Sequence, residues 1–210
     1  MDLPGALWLT ETYLRERDMG VFNGHSDVSR QQTFVEESRY AKSDTFYWAP
    51  PGGESMAQAC IRVDRFLESL METASGLRVV VVCHGNIMKC FRVRLEHMTQ
   101  AMFCEWEATD KVRNGQIMWY SRRHPVTGVV GSKMEWATSS VPDDPSVADS
   151  PLQWRNIVRP RFTNDMLLSF LDSQVSPLIT GTEPGLFERL EKLKLEKEEA
   201  AKAASTSQGD

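Results

Sequence analysis

From Met56 onward, apolar side chains recur at helical spacing, at Met56, Ala59, Cys60, Val63, Phe66, Leu67, Leu70 and Met71. That period predicts an amphipathic helix. Pro50-Pro51-Gly52-Gly53 forms a turn before it, Ser55 and Gln58 have the spacing of a capping box, and Gly76 is placed to end it. The pattern then becomes an unbroken apolar run, "RVVVVC" from Arg78 to Cys83. A run without alternation suits a strand covered on both faces, as in a parallel sheet. Past His84-Gly85-Asn86, the residues Ile87, Met88, Phe91, Leu95 and Met98 carry a second helix. Helix, buried strand, tight turn, helix is the alternation of an α/β domain.

Downstream, the spacing predicts a shorter helix over 100–109, and "NGQIMWYSRRHPVTGVVGSKMEWA" predicts a β-hairpin around a Pro- and Gly-containing turn. Residues 138–149 shift to Ser, Pro and Asp, the composition of a linker. Thr163 or Asn164 is placed to cap a helix running through Leu167, Phe170, Leu171 and Val175 and stopped by Pro177. Leu186, Leu190 and Leu193 form a narrow stripe on a last, highly charged helix before a tail of small residues. The expected organisation is a domain over 1–137, a linker over 138–162, a helical extension over 163–200 and a disordered tail over 201–210. No internal repeat is present.

Composition narrows the function classes. A chain that is 41% hydrophobic and 25% charged belongs with ordinary globular proteins. A formal charge of -5 gives no electrostatic case for nucleic acid or an acidic membrane as partner. No apolar run approaches the roughly 20 residues of a bilayer span, and "DLPGALWLTE" after Met1 lacks the basic start and apolar stretch of a secretory signal. Cys60, Cys83, Cys90 and Cys104 make no CxxC pair and fall inside apolar patterns, where cysteine serves as a small buried hydrophobe. The expectation is a cytoplasmic protein without metal or cofactor.

The chemistry concentrates at the end of the valine run. In open α/β sheets ligands sit beyond the carboxyl ends of the strands, and His84 falls at such an end. The N–H groups of Gly85 and Asn86 open the next helix, where unpaired donors and the helix dipole attract anions. Gly85 leaves room for close approach, and His84 adds a donor or, when protonated, a positive charge. Taken alone, His84 reads equally as a residue that ends a strand and bonds a neighbouring carbonyl.

The ordered set "YLRERDMGVFNG", "FYWAPPGGES", "VVVVCHGNIMK" and "VRNGQIMWYSRRHPVTG" resembles the histidine phosphatase superfamily, the phosphoglycerate mutase-like proteins, over Leu14 to Trp136. The resemblance implies a three-layer α/β sandwich with a mostly parallel central sheet. It further implies phosphoryl transfer through a phosphohistidine on an Arg-His-Gly motif, a second histidine at His84, and a leaving-group acid at Glu16. Arg17 would help hold the substrate, and Gly85 and Asn86 would meet its phosphate. Such chemistry rests on positioning and on cationic stabilisation of the transferring group. The implied ligand is a phosphorylated small molecule or a phosphoprotein. Without the resemblance, Glu16 reads as one of a surface charge cluster with Arg15, Arg17 and Asp18.

No Arg-His-Gly occurs in the 210 residues. Of the other histidines, His97 and His124 read as helix and turn residues, and His25 stands in "NGHS", unlike the nucleophile's surroundings. The chain is expected to lack the first central strand of the sheet, beginning where an ordinary member is about a third complete. The strand that carries His84 would then show unpaired backbone groups. Another chain or segment fills that slot, Met1 to Thr12 does so in part, or the sheet rearranges. Two functions stay open: a phosphomonoester hydrolase or mutase-like enzyme once the missing segment is supplied, or an inactive member kept as a phosphate-ligand binder or interaction subunit. The C-terminal helices would offer the latter a surface for a protein partner.

Overall fold

The structure is a computed structural model; it describes residues 5, 7–142, 144, 151–169 and 171. Two compact units divide between Pro160 and Arg161. In the first, short 3₁₀ turns at Thr12–Leu14 and Gly20–Phe22 precede helices α1 (Asp27–Thr33), α2 (Val35–Ser43), α3 (Met56–Thr73), α4 (Gly85–Glu96) and α5 (Gln100–Thr109). Strands β1 (Ile117–Ser121), β2 (Trp136–Ser140) and β3 (Arg155–Asn156) follow. The chain is a mixed α/β protein.

α3 begins at Ser55, whose hydroxyl accepts from the Gln58 N–H at 3.1 Å while Gln58 Oε1 accepts from the Ser55 N–H at 2.7 Å. This is the capping box read from the spacing, and such caps contribute about 1 kcal/mol. The apolar stripe Met56, Ala59, Cys60 and Val63 packs on Ile87, Cys90 and Val93 of α4 and on Phe103 and Trp106 of α5. Phe66 meets Phe91 edge-on at 5.8 Å, and Phe46 lies 5.2 Å from Phe103. α4 ends at His97, which adopts the left-handed conformation at the C-cap (φ 55°).

The sheet differs from the expectation. Among the described residues it has three strands in the order β1-β2-β3, both pairings antiparallel, with Trp119 opposite Thr138 and Ala137 opposite Arg155. The hairpin β1–β2 stands where the alternation placed it, but β2 runs to Ser140 and β3 lies at 155–156, inside the span expected as a linker. Glu96, at the end of α4, ties the sheet down. Its buried carboxylate accepts from the Tyr120 hydroxyl at 3.0 Å and pairs with Arg155 and Arg92. Three partners satisfy a charge that would be costly there alone.

Arg78–Cys83 takes no regular secondary structure and joins no ladder among the described residues, so the parallel strand expected there is not formed in them. Val79, Val80 and Val82 are 46%, 60% and 71% exposed, whereas Val81 is half-buried and Cys83 packs against the core. The reason is physical. A run of valines specifies a surface that can be covered, and only neighbours from elsewhere in a fold can cover it. Leu7 to Glu11 is likewise outside any ladder, with Leu7 and Leu9 exposed.

In the second unit, Thr163 Oγ1 accepts from the Met166 N–H at 3.2 Å and opens a helix described over 164–169 and at Leu171. The expected course past Leu171, the stripe Leu186, Leu190 and Leu193, and the tail over 201–210 lie outside the described residues. No helix among the described residues is long and apolar enough to cross a membrane.

Candidate functional site

Two motifs far apart in sequence, "RERDMG" and "PPGGES", are zipped together. The Glu54 N–H donates to Asp18 O at 2.8 Å, and the Val21 N–H donates to Pro51 O at 3.0 Å. Gly20 sits at φ +50°, and a Cβ there would lie 2.2 Å from Pro51 O. A Cβ on Gly53 would lie 2.6 Å from Asp18 O. Only glycine permits this closeness, which explains why both motifs carry one.

The Glu54 carboxylate locks the junction. It accepts from Arg62 Nε and Nη2 at 2.8 and 2.9 Å, from Arg15 Nη2 at 2.9 Å and from the Asp18 N–H at 3.1 Å. Burial acts to raise the Glu54 pKa, but these donors and the two arginine charges outweigh it and hold the group below its usual value.

The lock fixes Arg17. Its Nε donates to Glu54 O at 2.7 Å and its Nη2 approaches Trp48 O at 3.5 Å. Both partners are carbonyls, and no ion pair joins Arg17 to a carboxylate among the described residues. Burial lowers its pKa, opposed by surrounding acidic groups including Glu54 and Glu16. A guanidinium remains charged despite such a shift. The positive charge is therefore held on carbonyl oxygens, with carboxylates near it but none in direct contact among the described residues.

Arg17 lines a cavity of about 340 Å³ together with Asn86 and Lys89 of α4, Arg30 of α1, Lys42 of α2 and Trp48. Met56 and Phe103 reach it from the core, and Asp27, Asp44 and Glu107 supply carboxylates. Glu107 is engaged by Lys89 at 2.7 Å, and Asp44 accepts from the N–H groups of Phe46 and Tyr47.

The site residues expected from sequence divide. Arg17 and Asn86 share the cavity; Glu16, His84 and Gly85 are outside its lining. His84 is the exposed N-cap of α4, with extended backbone and no side-chain capping bond. Asn86, one residue further, is half-buried and faces inward. The Glu16 carboxylate accepts from the Arg17 N–H at 2.7 Å. Its charge reaches Cys83, the residue before His84. Burial is the main cause that pushes the Cys83 thiol up to about 11; the His84 N–H opposes this and Glu16 adds to it.

The remaining histidines have structural places. His25 Nδ1 pairs with Ser29 Oγ at 3.0 Å, its ring edge-on to Phe34. His124 Nδ1 accepts from the Val126 and Thr127 N–H groups, its ring 4.5 Å from Trp136. Reading the sequence missed Arg30, Lys42, Trp48 and Lys89. Lys89 was within reach, since it stands one helical turn beyond Asn86 and so on the same face. The others come from α1, α2 and the loop after α2, which carry no local sign of convergence.

In this mixed α/β protein, Arg17 and Asn86 of the first turn of α4 thus line one cavity. The chain belongs to the histidine phosphatase superfamily: the model of that superfamily's branch 1 matches residues 5–126. It is 30% identical over 96 residues to the 2,3-bisphosphoglycerate-dependent phosphoglycerate mutase of Pseudoalteromonas atlantica, covering 45% of this chain and 42% of that protein. Against the protein of the same name from Azorhizobium caulinodans it is 30% identical over 101 residues, or 47% and 49% of the two chains. The chain spans about half the length of the curated relatives it matches. A mycobacterial glucosyl-3-phosphoglycerate phosphatase solved with inorganic phosphate is similar at a TM-score of 0.44 and 20% identity, covering 72% of this chain and 63% of that one.

Proposed function

We propose that this chain carries the phosphate-recognition part of a phosphomonoester hydrolase or mutase-like enzyme, built as a three-layer sandwich when its sheet is complete. The observation that carries the reading is Arg17, held on carbonyl oxygens at 2.7 and 3.5 Å beside Asn86 with no carboxylate partner among the described residues. Arg17 and the N–H groups of Gly85 and Asn86 receive the phosphate, and His84 stands at the same helix start to donate to its oxygens. Glu16, whose carboxylate sits on the Arg17 N–H, protonates the leaving oxygen. The ligand is a phosphorylated small molecule or a phosphoprotein.

Turnover through a phosphohistidine requires an accepting histidine, and none of His25, His97 and His124 has the setting of one. His25 and His124 are engaged in local contacts, and His97 is a helix cap. The parallel strand that would bring Arg-His-Gly beside His84 has its place along Arg78–Cys83, where Val79, Val80 and Val82 are exposed. The same exposure favours a second reading, an inactive member that binds a protein partner through this edge, in line with pairing of added strands at open sheet edges. The C-terminal helices would widen that surface.

The test pairs binding with turnover in the 210-residue chain. Calorimetry should show inorganic phosphate binding that Arg17→Gln weakens by about tenfold or more, the scale of one lost charge-assisted contact. Hydrolysis of an aryl phosphate should be negligible in the wild type, in His84→Ala and in Glu16→Gln, because loss of a nucleophile costs about 10⁶-fold in other enzymes. Adding an Arg-His-Gly segment in cis or in trans should restore turnover that His84→Ala abolishes. Wild-type chain that binds no phosphate refutes the recognition reading. Robust turnover lost in His84→Ala would show that this chain already contains its nucleophile.

A further inference from the structure

Between β1 and β2 the chain runs out through residues 122–135, and an antiparallel bridge between Arg123 and Val130 closes this excursion into an arm. Its tip is ordered by local bonds. The His124 N–H donates to Val129 O at 2.8 Å, the Gly128 N–H donates to His124 O at 3.0 Å, and the His124 ring rests 4.5 Å from Trp136 of β2. Turn tips are ordinarily polar. This one reads "PVTGVV", and Val126, Val129 and Val130 are 87%, 68% and 51% exposed.

Basic residues collect at the foot of the arm. Residues 122–135 carry Arg122, Arg123 and Lys133 against one acid, Glu135, a formal charge of +2 in a chain of -5. None of the three makes an ion pair among the described residues. Arg159 joins them, donating from Nε to Leu95 O at 3.0 Å and from Nη2 to Met134 O at 2.5 Å, so its charge also rests on carbonyls. His97, at the C-cap of α4, feels this crowding. Burial lowers its pKa, and the charges of Arg159, Arg94 and Lys133 lower it further. Of those three, only Arg94 has an acidic partner, Asp64.

We propose that this end of the domain docks on the surface of an anionic lipid membrane. Val126, Val129 and Val130 enter the headgroup layer, and Arg122, Arg123, Lys133 and Arg159 meet the lipid phosphates and carboxylates. A membrane offers both halves of the match, an apolar layer for the tip and a negative surface for the foot. A protein partner of ordinary size would need roughly 20–30 residues a side, more than the arm presents. The net negative charge of the chain does not oppose this, because exposed charges beyond about 8–10 Å are largely screened at physiological salt. α4 also keeps the patch away from the cavity. Asn86 in its first turn lines the cavity and His97 ends it, and a helix rises about 1.5 Å per residue, so roughly 18 Å separates the two. Docking therefore leaves the cavity open and stands apart from the phosphate reading.

The experiment is co-sedimentation of the 210-residue chain with vesicles of phosphatidylcholine alone and of phosphatidylcholine with about one-third phosphatidylserine. The wild type should bind the anionic vesicles about tenfold or more tighter than the neutral ones, and lose that preference in about 1 M salt. Val126→Asn with Val129→Asn should weaken binding about tenfold, and Lys133→Gln about fivefold. Arg39→Gln, in α2 and equally exposed, should leave it unchanged. These positions are exposed, so circular dichroism should match the wild type. Absence of binding to the anionic vesicles overturns the proposal, as does equal binding to both compositions. Binding that survives in the folded valine variant, or falls as much in Arg39→Gln as in Lys133→Gln, overturns the assignment to the arm. Self-association without vesicles that the valine variant abolishes would make a second copy of the chain the occupant and overturn the membrane. Should the valine variant fail to fold, Lys133→Gln and the salt series decide.

Discussion

Replacing Glu54 by glutamine tests the lock that positions Arg17. The side chains of Glu54 and Arg62 are only 15% and 14% exposed, and they meet through two hydrogen bonds of 2.8 and 2.9 Å. Breaking a fully buried pair by removing one charge costs about 3–5 kcal/mol. Here both groups keep some contact with water and the amide still accepts one bond, so the expected loss is about 2 kcal/mol. The Arg15 bridge, with its partner half in solvent, adds at most about 0.5 kcal/mol. For a unit of this size that is a fall of roughly 4–8 °C in the unfolding midpoint, read by circular dichroism at neutral pH. The pH dependence has a definite sign. Glu54 is held below its ordinary pKa in the fold, so its contribution is fully present above the ordinary glutamate value and is lost as pH falls through the lower, folded value. The gap between wild type and Glu54→Gln should therefore be constant at neutral pH and close in acid. Arg17 Nε rests on the Glu54 carbonyl, so the variant should also bind phosphate more weakly. A loss below about 0.5 kcal/mol, the range of an ordinary surface change, would refute the lock, and so would a gap that does not respond to acid.

Two further substitutions probe the frame of the site. Gly20→Ala combines φ +50° with a Cβ 2.2 Å from Pro51 O, so it should cost at least roughly 2 kcal/mol in urea unfolding. A neutral result would mean that the two glycine motifs are not zipped. Phe103→Ala empties a position that is fully buried and faces both core and cavity, with an expected loss of about 3–5 kcal/mol. A loss below about 1 kcal/mol would show that this wall is not close-packed.

The sequence by itself determined what depends on near neighbours. Ser55 and Gln58 set the start of α3, the stripe from Met56 to Val63 chose its buried face, and Gln100–Thr109 formed the helix its spacing required. Period and capping act within a turn or two, so local residues suffice to fix them. The order of "RERDMG", "PPGGES" and "CHGN" pointed to the superfamily, and in the first two Gly20 and Gly53 have a strict backbone task. Tertiary structure decided what those residues meet. Only the fold shows that Gly20 and Gly53 are needed for one close approach, that Arg17 rests on carbonyls, and that Arg30 and Lys42 open onto the same cavity. The valine run marks the limit most clearly. Its residues specify a strand that can be covered on both faces, yet pairing is a property of two segments, and Val79, Val80 and Val82 stand exposed where no second strand pairs with them among the described residues.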